Sequence, residues 1–144
     1  MERKKYKYIA YHDSLTDCYN RNYLDYEIKE TFRNKYCIIT LVDINNLKKI
    51  NDTYGHLEGD KRIVDVANIL KEFGITIRLG GDEFLIICSK KNKYERLKEY
   101  CESQKNFAYG FAVKDSKEEI SSAMKKADER MYENKNKVKR NKLR

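Results

Sequence analysis

The chain has 144 residues, 40% apolar and 38% charged, with a net charge of +8 and a pI near 9.2. That is the size of one ordinary domain with one real core, and its positive balance suits either an anionic partner or a lysine-rich solvated surface. No apolar run approaches a membrane span, and the basic amino terminus lacks a signal-peptide h-region; four cysteines without a CxxC pair point to reduced thiols in a cytoplasmic protein, not a disulfide framework or a structural zinc site.

In chain order, residues 1–12 form a short basic lead. "RNYLDYEIKETF" (21–32) reads as a helix with Leu24, Ile28 and Phe32 on one side. "YCIITLVDI" (36–44) is a continuous, β-branched apolar run, the signature of a buried central strand. A helical turn, "NNLKKIND", and a loop, "TYGHLEGD" (53–60), follow. Ile63, Val66, Ala67, Leu70 and Phe73 recur at helical spacing, with Gly74 as the stop. "ITIRL" and "EFLIIC" read as two strands around a two-residue Gly80–Gly81 hairpin. "NKYERLKEYC" is a helix opened by Asn92 and Glu95 at capping-box spacing, and "NFAYGFAV" is a strand. Ser116 and Glu119 repeat the capping spacing before a last helix whose stripe is Ile120, Ala123, Met124, Ala127 and Met131. The basic tail beyond it is expected to fray. The order predicts a mixed α/β (α+β) fold: a ferredoxin-like core with additions, its mixed central sheet flanked by helices and carrying a GG hairpin.

Three groups of residues carry chemistry. Asp43 ends the buried strand with the pleat parity of Ile39 and Leu41. A carboxylate there is costly unless it meets a cation or donors, although Asp is also a common helix N-cap. Gly80 and Gly81 permit positive φ and close backbone approach, and Asp82 and Glu83 stand beside them. Hard oxygen ligands from two strand ends suit Mg²⁺ that also binds substrate phosphates, or else are simply solvated turn carboxylates. Neighbours on an ideal strand face opposite ways, so Asp82 is the preferred ligand over Glu83. Asn51 offers a donor and an acceptor and Asp60 accepts two hydrogen bonds, a match to a guanine edge; alternatively they are loop and helix-start residues.

Together "DSLTDCYNR" (13–21), "DINNLKKINDTYGHLEGD" (43–60), "RLGGDEF" (78–84) and "ADERMYENK" (127–135) resemble, in order and approximate spacing, the GGDEF domain of diguanylate cyclases. The likeness covers residues 13–139, leaving 140–144 as a basic tail. It implies condensation of two GTP into cyclic di-GMP with release of pyrophosphate, dependent on Mg²⁺ or Mn²⁺, between the two copies of a homodimer. Carried over, Asp43, the Ile44 carbonyl and Asp82 are metal ligands, and Glu83 serves the metal or the attacking 3′-hydroxyl. Asn51 and Asp60 read guanine. Lys48, Lys135 and Lys139 contact phosphates, and Gly80 and Gly81 admit the triphosphate.

The chain departs from the family's usual pattern at Asn45, Leu47, Ala108 and Lys139, and no RxxD stands just before the hairpin, so feedback inhibition through that site is not expected. With only 12 residues ahead of Asp13, the expectation is a free-standing cyclase, a fragment, or a chain paired by a separate regulatory or dimerising protein. Alternatives are a catalytically weak GTP-binding regulatory module and a related cyclase making another cyclic dinucleotide. Nucleic-acid binding is a weaker reading of the charge, because no aromatic–basic stacking module is visible.

Overall fold

Strand β1 (Cys37–Ile44) is buried at every position but Asp43, as a continuous apolar run requires. In this computed structural model, which describes the backbone of residues 2–142 and the side-chain surroundings of residues 3–137, β1 lies between β3 (Glu83–Cys88) and β4 (Phe107–Lys114). Strand β2 (Ile75–Gly80) completes the order β2-β3-β1-β4. All three pairings are antiparallel, and a parallel bridge from Tyr19 to Ile77 extends the β2 edge. Connecting helices make the α/β layout that the sequence predicts, a central sheet with helices over both faces.

The pleat of β1 divides the core. Ile38, Val42 and Ile44 pack with α4 (Leu47–Tyr54), α5 (His56–Leu70) and α6 (Lys91–Ser103). Ile39 and Leu41 pack with α7 (Ile120–Lys142) and with a helical segment made of α2 (Arg21–Tyr23), a π-helical turn (Leu24–Ile28) and α3 (Lys29–Thr31). Each large buried side chain contributes about 2 kcal/mol; these two cores, more than local propensity, fix where the strand ends lie. The π turn has a cause in the sequence. Leu24, Ile28 and Phe32 are buried at strict four-residue steps, which drift by about 40° per step on an α-helix. The wider turn holds them on one face.

Several local expectations need correction. The basic lead carries a helix that the sequence did not signal: Glu2–Tyr11 forms α1, largely exposed, tied down by the Asn20 amide on the Ala10 carbonyl at 2.9 Å and by Tyr11 on Glu27 at 3.1 Å. Residues 53–60 are not a loop; α4 and α5 meet at Gly55, whose φ of +92° breaks the chain direction in one residue. The hairpin turns at Gly81–Asp82, because Gly80 pairs with Glu83 and a bulge falls between Arg78 and Gly80. Neither Gly80 nor Gly81 is at positive φ. Neither capping box forms. Asn92 bonds only the adjacent Lys93 N–H, and Asp115, not Ser116, accepts the Lys117 and Glu118 N–H groups before α7. Helix α7 runs on through Lys142 where fraying was expected. All four cysteines are buried and free, as expected. Among the described residues no helix is long and apolar enough to cross a membrane.

Candidate active site

The carboxyl end of β1 meets the hairpin turn. The Ile44 N–H donates to the Asp82 carbonyl at 2.9 Å, so the Ile44 peptide is held against the turn. Asp43 lies directly across from Glu83 in the β1–β3 register, and partners so paired face the same side of a sheet. Glu83 therefore shares the α7 face with Asp43, a closeness that single-strand alternation did not suggest. The N-cap alternative for Asp43 falls away, because α4 begins after Asn46, three residues further on.

Three carboxylates are thus crowded together. Burial and then the Asp43 charge push Asp82 above the ordinary carboxylate range. Burial, then Asp43, Asp128 and Asp82, do the same to Glu83, with Arg21 offsetting part of it. The counter-charge is Lys135 on α7, whose ammonium donates to Asp43 Oδ2 at 2.9 Å. That hydrogen bond, against the opposing effect of burial, holds Lys135 above the usual lysine range. The other Asp43 oxygen, Oδ1, is buried with no partner. An orphaned carboxylate oxygen in a negative cluster is what a cation satisfies. Among the described residues no three acidic, histidine or cysteine side chains form a complete metal cage. Mg²⁺ does not need one, since it typically uses one or two carboxylates with substrate phosphates and water. Asp43 and Asp82 fit that role. A Cβ added to Gly80 or Gly81 would meet nothing within 4 Å, so the turn leaves open space for a bulky ligand. A concavity of about 570 Å³, lined by Asp128, Glu129, Tyr132 and Lys135 among others, adjoins the cluster. Another of about 370 Å³, around Lys29, Arg33 and Lys114, lies at the opposite end of β1 and takes no part.

The other predicted residues form a second group on α4 and α5. Asn51 contacts Gly59, the neighbour of Asp60, and its Oδ1 is buried without a partner. Asp60 sits one turn inside α5, so helix-start capping does not account for it. Lys48 is exposed on α4, three residues before Asn51 and on the same side. Lys139 belongs to α7, but its side chain lies outside the described residues.

Sequence reasoning missed the device that holds the turn. Arg78 donates from Nε and Nη2 to the Gly81 carbonyl at 3.1 and 2.8 Å, and from Nη1 to Asp13 Oδ2 at 3.1 Å. Asp13 Oδ2 in turn accepts the Thr16 N–H and hydroxyl at 2.9 and 2.7 Å. Burial alone would raise the Asp13 carboxyl, but Thr16 and Arg78 together bring it below its ordinary value. The Arg78 N–H also donates to the Tyr19 carbonyl at 2.8 Å. Arg78 thus joins the 13–19 loop to the peptide next to Asp82. Its signal was present as an arginine two residues before the glycines, but its partner lies 65 positions away. Asn134 was also missed; its Oδ1 accepts the Tyr109 N–H at 3.0 Å, fixing the turn of α7 that carries Lys135 to β4.

The family model described as "Diguanylate cyclase, GGDEF domain" matches residues 10–141. The chain is 32% identical over 143 residues to the probable diguanylate cyclase DgcJ of Escherichia coli (strain K12), covering 85% of this chain and 29% of that protein. It is 34% identical over 139 residues to the probable diguanylate cyclase DgcI of the same organism, covering 88% and 31%. The chain therefore spans less than a third of the length of these curated relatives. A solved GGDEF domain, described for a novel mode of interaction with cyclic di-GMP, superposes with a TM-score of 0.77 at 26% identity, covering 89% of this chain and 94% of that one. The coiled coil and GGDEF domain of DgcB from Caulobacter crescentus, solved with c-di-GMP, superposes with a TM-score of 0.81 over 94% and 85%; at 23% identity it speaks to the fold alone.

Proposed function

This chain belongs to the GGDEF domain family of diguanylate cyclases, and on that premise we propose that it condenses two GTP molecules into cyclic di-GMP where two copies face each other. The 3′-hydroxyl of each GTP attacks the α-phosphorus of the other, and two pyrophosphates leave.

The observation that carries this reading is the orphaned Asp43 Oδ1 inside the Asp43–Asp82–Glu83 cluster, whose other oxygen, Oδ2, accepts from Lys135. Asp43 and Asp82 would hold Mg²⁺ or Mn²⁺, with the Ile44 carbonyl as a further ligand. When bound, such an ion would supply charge neutralisation at the phosphates and Lewis acidity toward the reacting hydroxyl. Lys135, kept protonated by Asp43, moves its charge to the phosphates when nucleotide enters and stabilises the departing pyrophosphate. Lys48 and Lys139 add positive charge along the triphosphate. Asn51 and Asp60 read the guanine edge and set the nucleotide's register. Glu83, facing the same side as Asp43, accepts the proton of the 3′-hydroxyl or supports the metal. The open space over Gly80 and Gly81 lets the triphosphate reach the turn. Because each copy presents one nucleotide, pairing supplies the proximity on which the rate depends.

The test is conversion of GTP by the purified chain with Mg²⁺, with cyclic di-GMP identified as the product, beside Asp82→Ala. The reading requires that product from the unaltered chain and none from the variant. Equal product from both, or a mixed-base product when ATP is also supplied, contradicts it.

A further inference from the structure

Gly59 is a helical residue in the first turn of α5, with no positive φ to require glycine. Alanine would favour the helix there, so backbone propensity offers no reason for its absence. The reason lies across the α4–α5 junction. A Cβ at position 59 would stand 1.7 Å from Asn51 Oδ1, 2.8 Å from its Cγ and 3.3 Å from its Nδ2. Apart from its two chain neighbours and the helix's own nearby backbone, these are the three nearest atoms, and all belong to one carboxamide.

Asn51 Oδ1 is also buried with no hydrogen-bond partner. A lone amide oxygen sealed against a glycine is unfavourable in itself. What it achieves is geometric: with the oxygen seated on Gly59, the plane of the carboxamide is fixed, and so is the direction of its nitrogen. We propose that Gly59 is the positioning residue of the base-reading site, holding the Asn51 carboxamide in the one orientation that distinguishes guanine. This rests on the reading of Asn51 and Asp60 as the guanine-reading pair. A methyl group at 59 would turn the carboxamide about its side-chain torsions, leaving the phosphate and metal groups untouched.

The experiment is a two-by-two cycle on the full chain: wild type, Gly59→Ala, Asn51→Ala and the double variant. Each is titrated calorimetrically with a non-hydrolysable GTP analogue and its adenine counterpart, and its melting temperature is recorded. Gly59→Ala and Asn51→Ala should each weaken the guanine analogue roughly tenfold, the worth of one hydrogen bond, and leave the adenine analogue unchanged. The double variant should bind within about twofold of Asn51→Ala, because Gly59 acts only through Asn51. Wild-type binding by Gly59→Ala, an equal loss for both bases, or a loss that multiplies in the Asn51→Ala background overturns the proposal. If Gly59→Ala does not fold, the double variant should, since the clash is gone; a double variant that also fails to fold overturns it as well. Wild-type guanine binding by Asn51→Ala would remove the guanine reading itself, and this inference with it. That outcome is distinct from a weakened Asn51→Ala beside an unaffected Gly59→Ala, which removes the inference alone.

Discussion

Replacing Arg78 tests whether the hairpin turn is held or merely permitted. Arg78→Ala removes two donors from the Gly81 carbonyl and leaves Asp13 without its counter-charge. The two side chains are only 15% and 21% exposed, so the pair is screened less than a surface ion pair. Charge-assisted hydrogen bonds and a partly buried, uncompensated carboxylate put the loss at about 2–3 kcal/mol. For a domain of this size that is roughly 5–10 °C in melting temperature. Because Gly81 immediately precedes Asp82, the freed turn also misplaces that carboxylate, and turnover should fall about tenfold further than the unfolded fraction explains. Arg78→Lys keeps the charge and loses the fork, so it should fall between the two. Urea unfolding gives the stability and steady-state cyclisation gives the rate. An Arg78→Ala protein within about 0.5 kcal/mol of wild type, the range of an ordinary surface substitution, would refute the clamp.

Three other outcomes follow from the same geometry. Asp82→Asn removes a charge disfavoured first by partial burial and then by Asp43, and should stabilise the metal-free protein, by roughly a few tenths of a kcal/mol after solvent screening, while abolishing turnover; destabilisation would mean the carboxylates are not crowded in the folded chain. Asp13 has a lowered folded-state pKa, so its contribution to stability is full above the unfolded value of about 3.9 and is lost as pH falls through that value towards the lower folded one. Urea unfolding of Asp13→Asn should therefore show a shallower acid loss than wild type, and parallel acid limbs would exclude the pairing. Gly110→Ala would set a Cβ 2.1 Å from the Ala127 carbonyl and 2.3 Å from the Met131 N–H nitrogen, both backbone atoms that cannot rotate away. It should cost at least about 2 kcal/mol by forcing α7 off β4, read directly by thermal unfolding.

The parts of this architecture carried by period and burial were legible in the sequence. The apolar run of β1 and the helical stripes of α5 and α7 marked the sheet and its covers, and the polar residues set against them marked the candidate site. Local glycine rules misled where packing decides. Gly55 and Gly59 suggested a loop, yet one bends the chain in a single residue and the other makes room for Asn51 inside a helix. Gly80 and Gly81 suggested the turn itself, yet the bulge after Arg78 moves the turn one residue along. Helix α1 gave no signal because residues 3–10 are exposed and carry no apolar stripe. The face shared by Asp43 and Glu83 depends on the register between two strands, and the Arg78–Asp13 pair on a contact across much of the chain; neither leaves a periodic trace.

The central claim is that two copies, each holding one GTP, make one product. The most direct measurement is the initial rate of cyclic di-GMP formation across a dilution series of the full chain at saturating GTP and Mg²⁺. The account predicts a rate rising with the square of protein concentration at the dilute end and becoming linear once pairs form. A rate proportional to concentration throughout, from a species that sedimentation shows to be a single copy, would contradict it.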